Sequence, residues 1–70
     1  MHLEKLVIAL KKRREALGVT QEQLSELSGV GLRTLKALES KKSNPTLDTL
    51  SKLANVLGME LELVVKKPQL

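Results

Sequence analysis

Cysteine is absent from these 70 residues, and so are phenylalanine, tyrosine and tryptophan. Without cysteine there is no disulfide staple, no thiolate zinc site and no thiol nucleophile. Without aromatic rings there is no platform for stacked bases, which argues against RRM-type RNA binding and other single-strand readers. The one histidine, His2, makes neither a metal cluster nor a catalytic constellation. No apolar run approaches the ~18 residues of a membrane span, and no signal-peptide pattern opens the chain. The expected location is therefore cytoplasmic. Gly29-Val30-Gly31 opens like a dinucleotide-binding fingerprint and fails it, because Thr34 stands at the sixth position. An enzyme is not expected, and no cofactor or metal is implied.

What remains is a core of Leu, Val, Ile, Ala and Met in a chain of single-domain length. A chain this small buries only about 60% of the surface its unfolded form exposes, and such cores often lean on a second subunit. The net charge of +4 is unevenly placed. Residues 1–19 carry net +3 and residues 40–58 net +2, around a middle stretch, 20–39, of net −1. Two basic blocks flanking a near-neutral centre read either as solvated faces or as a surface for a polyanion such as nucleic acid.

Periodicity predicts four helices. Leu3, Leu6, Val7, Leu10, Arg14 and Leu17 recur at three and four, a helical stripe that Gly18 closes. Thr20 with Gln23 makes a capping box for a second, short helix over 21–28, with Leu24 and Leu27 turned inward, and Gly29 breaks it. A third helix follows from about 31 to 40. At about 100° per residue, Leu35 and Leu38 face inward, Arg33, Lys36 and Ala37 outward, and Leu32 lies on the edge. The loop Lys41-Lys42-Ser43-Asn44-Pro45 ends at a proline that disfavours helix at Asn44. Thr46 then caps a fourth helix with the inward stripe Leu47, Leu50, Leu53, Ala54 and Leu57, ended by Gly58. The period then changes to two: Met59, Leu61, Leu63 and Val65 alternate with Glu60, Glu62, Val64 and Lys66, a strand pattern over 60–66. No second strand precedes it, so the expected partner is the same strand of another copy in a two-fold dimer, with Leu61, Leu63 and Val65 at the contact; the bland reading is a frayed tail.

Two short helices joined by a tight glycine turn, the second with a polar outward face, form a helix-turn-helix. Small Ser25 lets the helices approach, and Val30, Leu35 and Leu38 seat the second one so that its first two turns reach base edges in a major groove. The runs Arg14-Glu15-Ala16-Leu17-Gly18-Val19-Thr20-Gln21, Leu24-Ser25-Glu26-Leu27-Ser28-Gly29-Val30, Thr34-Leu35, Leu38-Glu39, Pro45-Thr46-Leu47, Leu53-Ala54 and Leu57-Gly58 resemble the XRE/Cro family of phage-repressor-like regulators. The resemblance covers about residues 7–58. It implies a mainly α, lambda-repressor-like domain of four to five helices over 1–58, with the helix-turn-helix at 21–40 and a dimerisation strand and tail at 59–70.

The resemblance also implies roles. Gln21 matches a phosphate-contacting position, Gly31, Leu32, Arg33 and Lys36 match base-reading positions, and Thr34 a phosphate contact. Arg14 and Glu39 match a structural salt bridge, in preference to a direct DNA role for Arg14. Ser25 stands where the family favours Ala, and Gly31 and Leu32 where longer polar side chains are frequent. Readout then rests on Arg33, which can grip guanine with two hydrogen bonds, and on Lys36, with Leu32 offering apolar contact to a thymine methyl. DNA shape and phosphate contacts are expected to supply a large share of binding. Lys41, Lys42 and Ser43 are placed along the DNA backbone, against the alternative of a solvated linker, whereas most of Lys11-Lys12-Arg13-Arg14 reads as an exposed helix face.

A strand after the helical domain further resembles the HipB-like antitoxins, which implies a homodimeric repressor of its own promoter, a palindromic double-stranded operator and a HipA-type kinase toxin as partner. A stand-alone regulator without a toxin, and a protein-interaction module whose helix-turn-helix no longer binds DNA, remain as alternatives.

Overall fold

The computed structural model describes residues 3–67 and contains four helices: α1 (Leu3–Ala16), α2 (Gln21–Ser28), α3 (Leu32–Glu39) and α4 (Leu47–Val56). Each begins or ends where local chemistry dictates. The Thr20 hydroxyl accepts from the Gln23 amide at 3.0 Å, and the Gln23 side chain accepts from the Thr20 amide at 2.9 Å, completing the expected capping box of α2. The Thr46 hydroxyl accepts from the Thr49 amide at 3.1 Å and starts α4. Between α2 and α3 the backbone turns through Gly29 at φ +78°, a left-handed conformation that a side chain disfavours. Lys41 adopts the same region at φ +64° without being glycine, and its amide and that of Lys42 close the end of α3 by bonding back to Leu38 and Ala37.

The four helices bury one aliphatic cluster. Val7 and Leu10 enter it from α1, Leu24 from α2, Val30, Leu35 and Leu38 from the turn and α3, and Leu50, Leu53, Ala54 and Leu57 from α4 and its end. Leu24, Leu35, Leu38, Leu50, Leu53 and Leu57 are each under 2% or at 2% exposure, so no element contributes a spare layer. Arg13 adds a tie that spans most of the chain: its Nε donates to the Leu57 carbonyl at 3.0 Å, satisfying an orphan acceptor at the end of α4.

Several leucines depart from the expected stripes. Leu27, expected inward, is 68% exposed, and Leu47, expected on the buried side of α4, is 71% exposed. Leu17 and Leu3, at the ends of the first stripe, are also exposed. All four lie in the terminal turns of their helices or just beyond them, where the neighbouring helix no longer overlaps and periodicity has nothing to pack against. The outward side of α3 departs in the opposite sense: Arg33 and Lys36 are exposed as expected, as is Thr34, but Ala37 is half-buried.

The strand expected over 60–66 is not formed. Residues 59–67 carry no strand, and the described residues contain no second segment with which one could pair. Residues 68–70 of the expected dimerisation segment lie outside the described residues, as does His2. Alternation survives in the first half of this segment, where Met59 and Leu61 are half-buried against the core and Glu60 and Glu62 are exposed. Beyond it, Leu63, Val64 and Val65 are 82–94% exposed. This departing segment accounts for extents of 47 × 23 × 19 Å and a radius of gyration of 13.0 Å, against about 11 Å for a compact chain of this length.

The contrast between the two leucines of α2 gives a direct check. Leu24→Ala is expected to cost about 2–5 kcal/mol, a large part of the ~4–10 kcal/mol total for a domain of this size. Leu27→Ala should stay within ~0.5 kcal/mol. Urea melts of the two variants followed by circular dichroism compare them, and equal losses would return Leu27 to the core.

Candidate nucleic-acid interface

The placement of α3 is fixed by a buried ion pair at its last residue. Arg14, the antepenultimate residue of α1, meets Glu39 in a two-point contact: Nε to Oε2 at 2.8 Å and Nη2 to Oε1 at 2.9 Å. The side chains are 11% and 4% exposed. The third arm of the guanidinium, Nη1, donates to the Val19 carbonyl at 2.9 Å, just before α2. Gln21, first in α2, donates from Nε2 to Glu39 Oε1 at 3.0 Å. One carboxylate therefore joins the end of α1, the start of α2 and the end of α3. No buried side-chain nitrogen or oxygen among the described residues lacks a partner, which is the condition under which a buried charge pair is tolerated.

The pair also shifts both ionisations. Hydrogen bonding to Glu39 holds the Arg14 guanidinium above its ordinary value, against the opposing effect of burial. Burial pushes the Glu39 carboxyl up, but the hydrogen bonds from Arg14 and Gln21 and the Arg14 charge outweigh it and leave the group below the usual range. Both members are thus charged at neutral pH.

The turn between α2 and α3 is held by hydroxyls. Ser25 Oγ donates to the Val30 carbonyl at 2.6 Å, and the Val30 amide donates to Ser28 Oγ at 3.1 Å. Ser25 is thus more than a small residue that permits close approach, since it satisfies a carbonyl that an alanine would leave without this partner.

With α3 fixed at both ends, its free side presents Arg33, Thr34 and Lys36 to solvent, with Leu32 half-buried beside them. Gly31 precedes the helix in an ordinary conformation (φ −58°, ψ 144°) and provides no side-chain cap. The first amides of α3 are therefore free of a side-chain acceptor, and with the helix dipole they favour an anion at this end. The expected contact residues divide into three groups. Gly31, Arg33, Thr34 and Lys36 lie on one exposed surface, with Leu32 at its edge. Lys42 and Ser43 are exposed beyond the far end of α3. Gln21 and Lys41 are already engaged: Gln21 with Glu39, and Lys41 with Glu4 at 2.9 Å.

The Glu4–Lys41 pair is open to solvent and weak, so it leaves Lys41 able to exchange its partner for a phosphate. Gln21 retains a second N–H on the nitrogen that bonds Glu39. The basic run on α1 divides between surface and structure: Lys11 and Lys12 are exposed, Arg13 closes α4, and Arg14 is buried. The roles of Arg13 and of the Gln21 amide were invisible in the sequence, since their partners lie 44 and 18 positions away.

A pair of packed short helices, the second clamped at its end and bare on its outer side, defines a helix-turn-helix domain. The chain matches the helix-turn-helix family model over residues 10–64 and belongs to that family, in its XRE type. It is 41% identical over 59 residues to an uncharacterised HTH-type transcriptional regulator of Haemophilus influenzae, covering 84% of this chain and 60% of that protein. It is 39% identical over 66 residues to a similar regulator of Sinorhizobium fredii, covering 91% of this chain and 86% of the relative. The HTH-type transcriptional regulator PuuR of Escherichia coli is 32% identical over 60 residues, which cover 86% of this chain and 32% of PuuR. The chain thus spans less than two thirds of the Haemophilus relative and about a third of PuuR. Among the described residues, no helix is long and apolar enough to cross a membrane.

Acid should weaken the clamp. Because the Glu39 carboxyl is held below its unfolded value, the stability it contributes is present above that value (about pH 4.3–4.5) and is lost as pH falls through the folded one. Arg14, shifted upward, contributes fully at every pH below its unfolded value and so adds no slope in the acid range. Glu39→Ala at pH 7 is expected to cost about 3–5 kcal/mol, since it leaves Arg14 buried and unpaired. Glu39→Gln should flatten the fall in melting temperature between pH 5 and pH 3, measured by calorimetry; an unchanged acid slope would remove Glu39 from its cause.

Proposed function

We propose that this chain is a DNA-binding transcription regulator that places α3 in the major groove of duplex DNA. The observation that carries this reading is the clamped, outward-facing α3, with Arg33, Thr34 and Lys36 free at its surface and Arg14–Glu39 holding its end. Membership of the helix-turn-helix family, with HTH-type transcriptional regulators among the relatives, supports it.

In this mechanism Arg33 reads guanine through two hydrogen bonds, Lys36 contributes a second polar contact, and Leu32 offers a methyl-sized apolar contact at the edge. Thr34, the start of α3, the second N–H of Gln21, and Lys41, Lys42 and Ser43 grip phosphates and set the register. With only two long polar readers on α3, the deformability of the operator contributes to selectivity. The chain acts as a repressor and as a homodimer on a palindromic site, since one recognition helix covers only one half-site.

Within that class the finer reading is the antitoxin of a toxin–antitoxin operon that represses its own promoter and binds a HipA-type kinase toxin. It is supported by the apolar segment Leu61, Leu63 and Val65 that follows the helical domain. A pull-down from the source cell that returns a kinase supports the antitoxin. A pull-down without one favours a stand-alone regulator.

Arg33→Ala is expected to weaken binding to the specific site by about 1–3 kcal/mol and to relax base preference there, while Lys42→Ala weakens all sequences about equally and lowers the salt slope by about one. Gel-shift titrations on operator and random duplexes at several salt concentrations separate the two. Equal losses on both duplexes for both variants would sink the readout by Arg33. Footprints of the operator should show half-sites about 34–36 Å apart, or a multiple of that spacing.

A further inference from the structure

The first turn of α1 and the bend after α3 meet at one polar contact. Lys41 Nζ donates to Glu4 Oε1 at 2.9 Å, joining residues 37 positions apart. Glu4 and Val7 line a recess of about 290 Å³ with Lys41, Ser43 and Pro45. We infer that Glu4 is an internal stand-in for a DNA phosphate: it holds Lys41 in the free chain and must yield before Lys41 reaches the backbone, so it lowers affinity for every duplex alike. The inference rests on the DNA-binding reading above and adds to it an acidic residue that works against binding.

The placement of Lys41 is set by its backbone. At φ +64° its own amide bonds back to the Leu38 carbonyl at 3.0 Å, and the Lys42 amide to the Ala37 carbonyl at 2.9 Å. The chain is thus fixed on either side of the side chain, and only the flexible stem can move. Lys41 also borders a second recess with Lys11, Lys12, Glu15 and Glu39. Glu39 is committed to Arg14 and Gln21, and the two lysines repel a third. Among the described residues, Glu4 is the one acid within ion-pair distance of Lys41.

An ammonium meets a carboxylate and a phosphate in the same way, through a short bond to an anionic oxygen. Lysine acts as a point charge, so the exchange needs no change of backbone. If the pair opens, its attraction is lost; if Lys41 bridges both anions, Glu4 stays beside a like charge. Either outcome subtracts from binding. The side chains are 50% and 65% exposed, so the subtraction is small. Phosphates carry no base identity, so it is equal on operator and random DNA. Lys42 is exposed and in no ion pair among the described residues, so it pays no such penalty. Glu4 also stands in the first turn of α1, where an acid favours the helix dipole, but that role touches stability and not DNA.

Gel-shift titrations of a double-variant cycle test this, with Glu26→Gln as a control for net charge. Glu26 is exposed on α2 and in no ion pair among the described residues. Glu4→Gln should tighten binding about 2–5-fold on operator and random duplexes alike. The gain should be largest at low salt, because salt screens the Lys41–phosphate contact and its competitor together. In a Lys41→Gln background, Glu4→Gln should gain no more than Glu26→Gln does.

A gain of equal size with and without Lys41 would reduce the effect to net charge and overturn the inference. So would unchanged affinity, or a lowered melting temperature with no change in binding, which would assign Glu4 to the end of α1 alone. In each of these cases the chain still binds DNA, and the reading of α3 stands. A chain that binds no duplex in any variant would overturn both together.

Discussion

The structure depends on one carboxylate. Glu39 receives Arg14 from α1 and Gln21 from α2 while itself ending α3. The aliphatic cluster brings the helices together, but contacts among leucines are non-directional and tolerate rotation or sliding of a helix about its axis. The two-point guanidinium contact does not, because its hydrogen bonds fail when the planes tilt. The division of labour is therefore clear: Leu35 and Leu38 hold α3 down, and the ion pair decides which of its sides faces out.

The same arrangement explains how a chain without aromatic residues orients a short helix accurately. Large rings usually provide shape-specific packing in small cores. Here their part is taken by polar ties at the ends of elements: Arg14 to Val19, Arg13 to Leu57, and Ser25 to Val30. Each bridges a helix end or a turn, where a carbonyl would otherwise lack a partner. These ties join α1 to the start of α2, α1 to the end of α4, and the two ends of the turn before α3, and the departing segment after Leu61 lacks such ties among the described residues.

Much of this was readable from the residues. The capping box of α2, the glycine break at Gly29, the Thr46 cap and the core positions of α3 followed from local chemistry, which acts within three or four residues. The Arg14–Glu39 pair was legible only through the family resemblance, since nothing at Arg14 points to a partner 25 positions on. Leu27 and Leu47 misled because periodicity reports that a side could be buried, and only neighbouring helices decide how far along it burial extends. The segment 60–66 misled more instructively. Alternation there is real, but pairing needs a second backbone, and the described residues hold none.

Gly31 has a consequence of a different kind. Its backbone angles suit any residue, and a Cβ added there would meet nothing closer than the Thr34 hydroxyl, at 3.9 Å. The fold has no need of a glycine at the start of α3. Ser, Asn or Gln could stand there without disturbing the clamp or the core, and each would project new hydrogen-bonding groups toward whatever α3 meets. If α3 enters the major groove as proposed, Gly31 is a vacant position beside the bases that one substitution can fill, so target preference and the integrity of the fold are free to change independently.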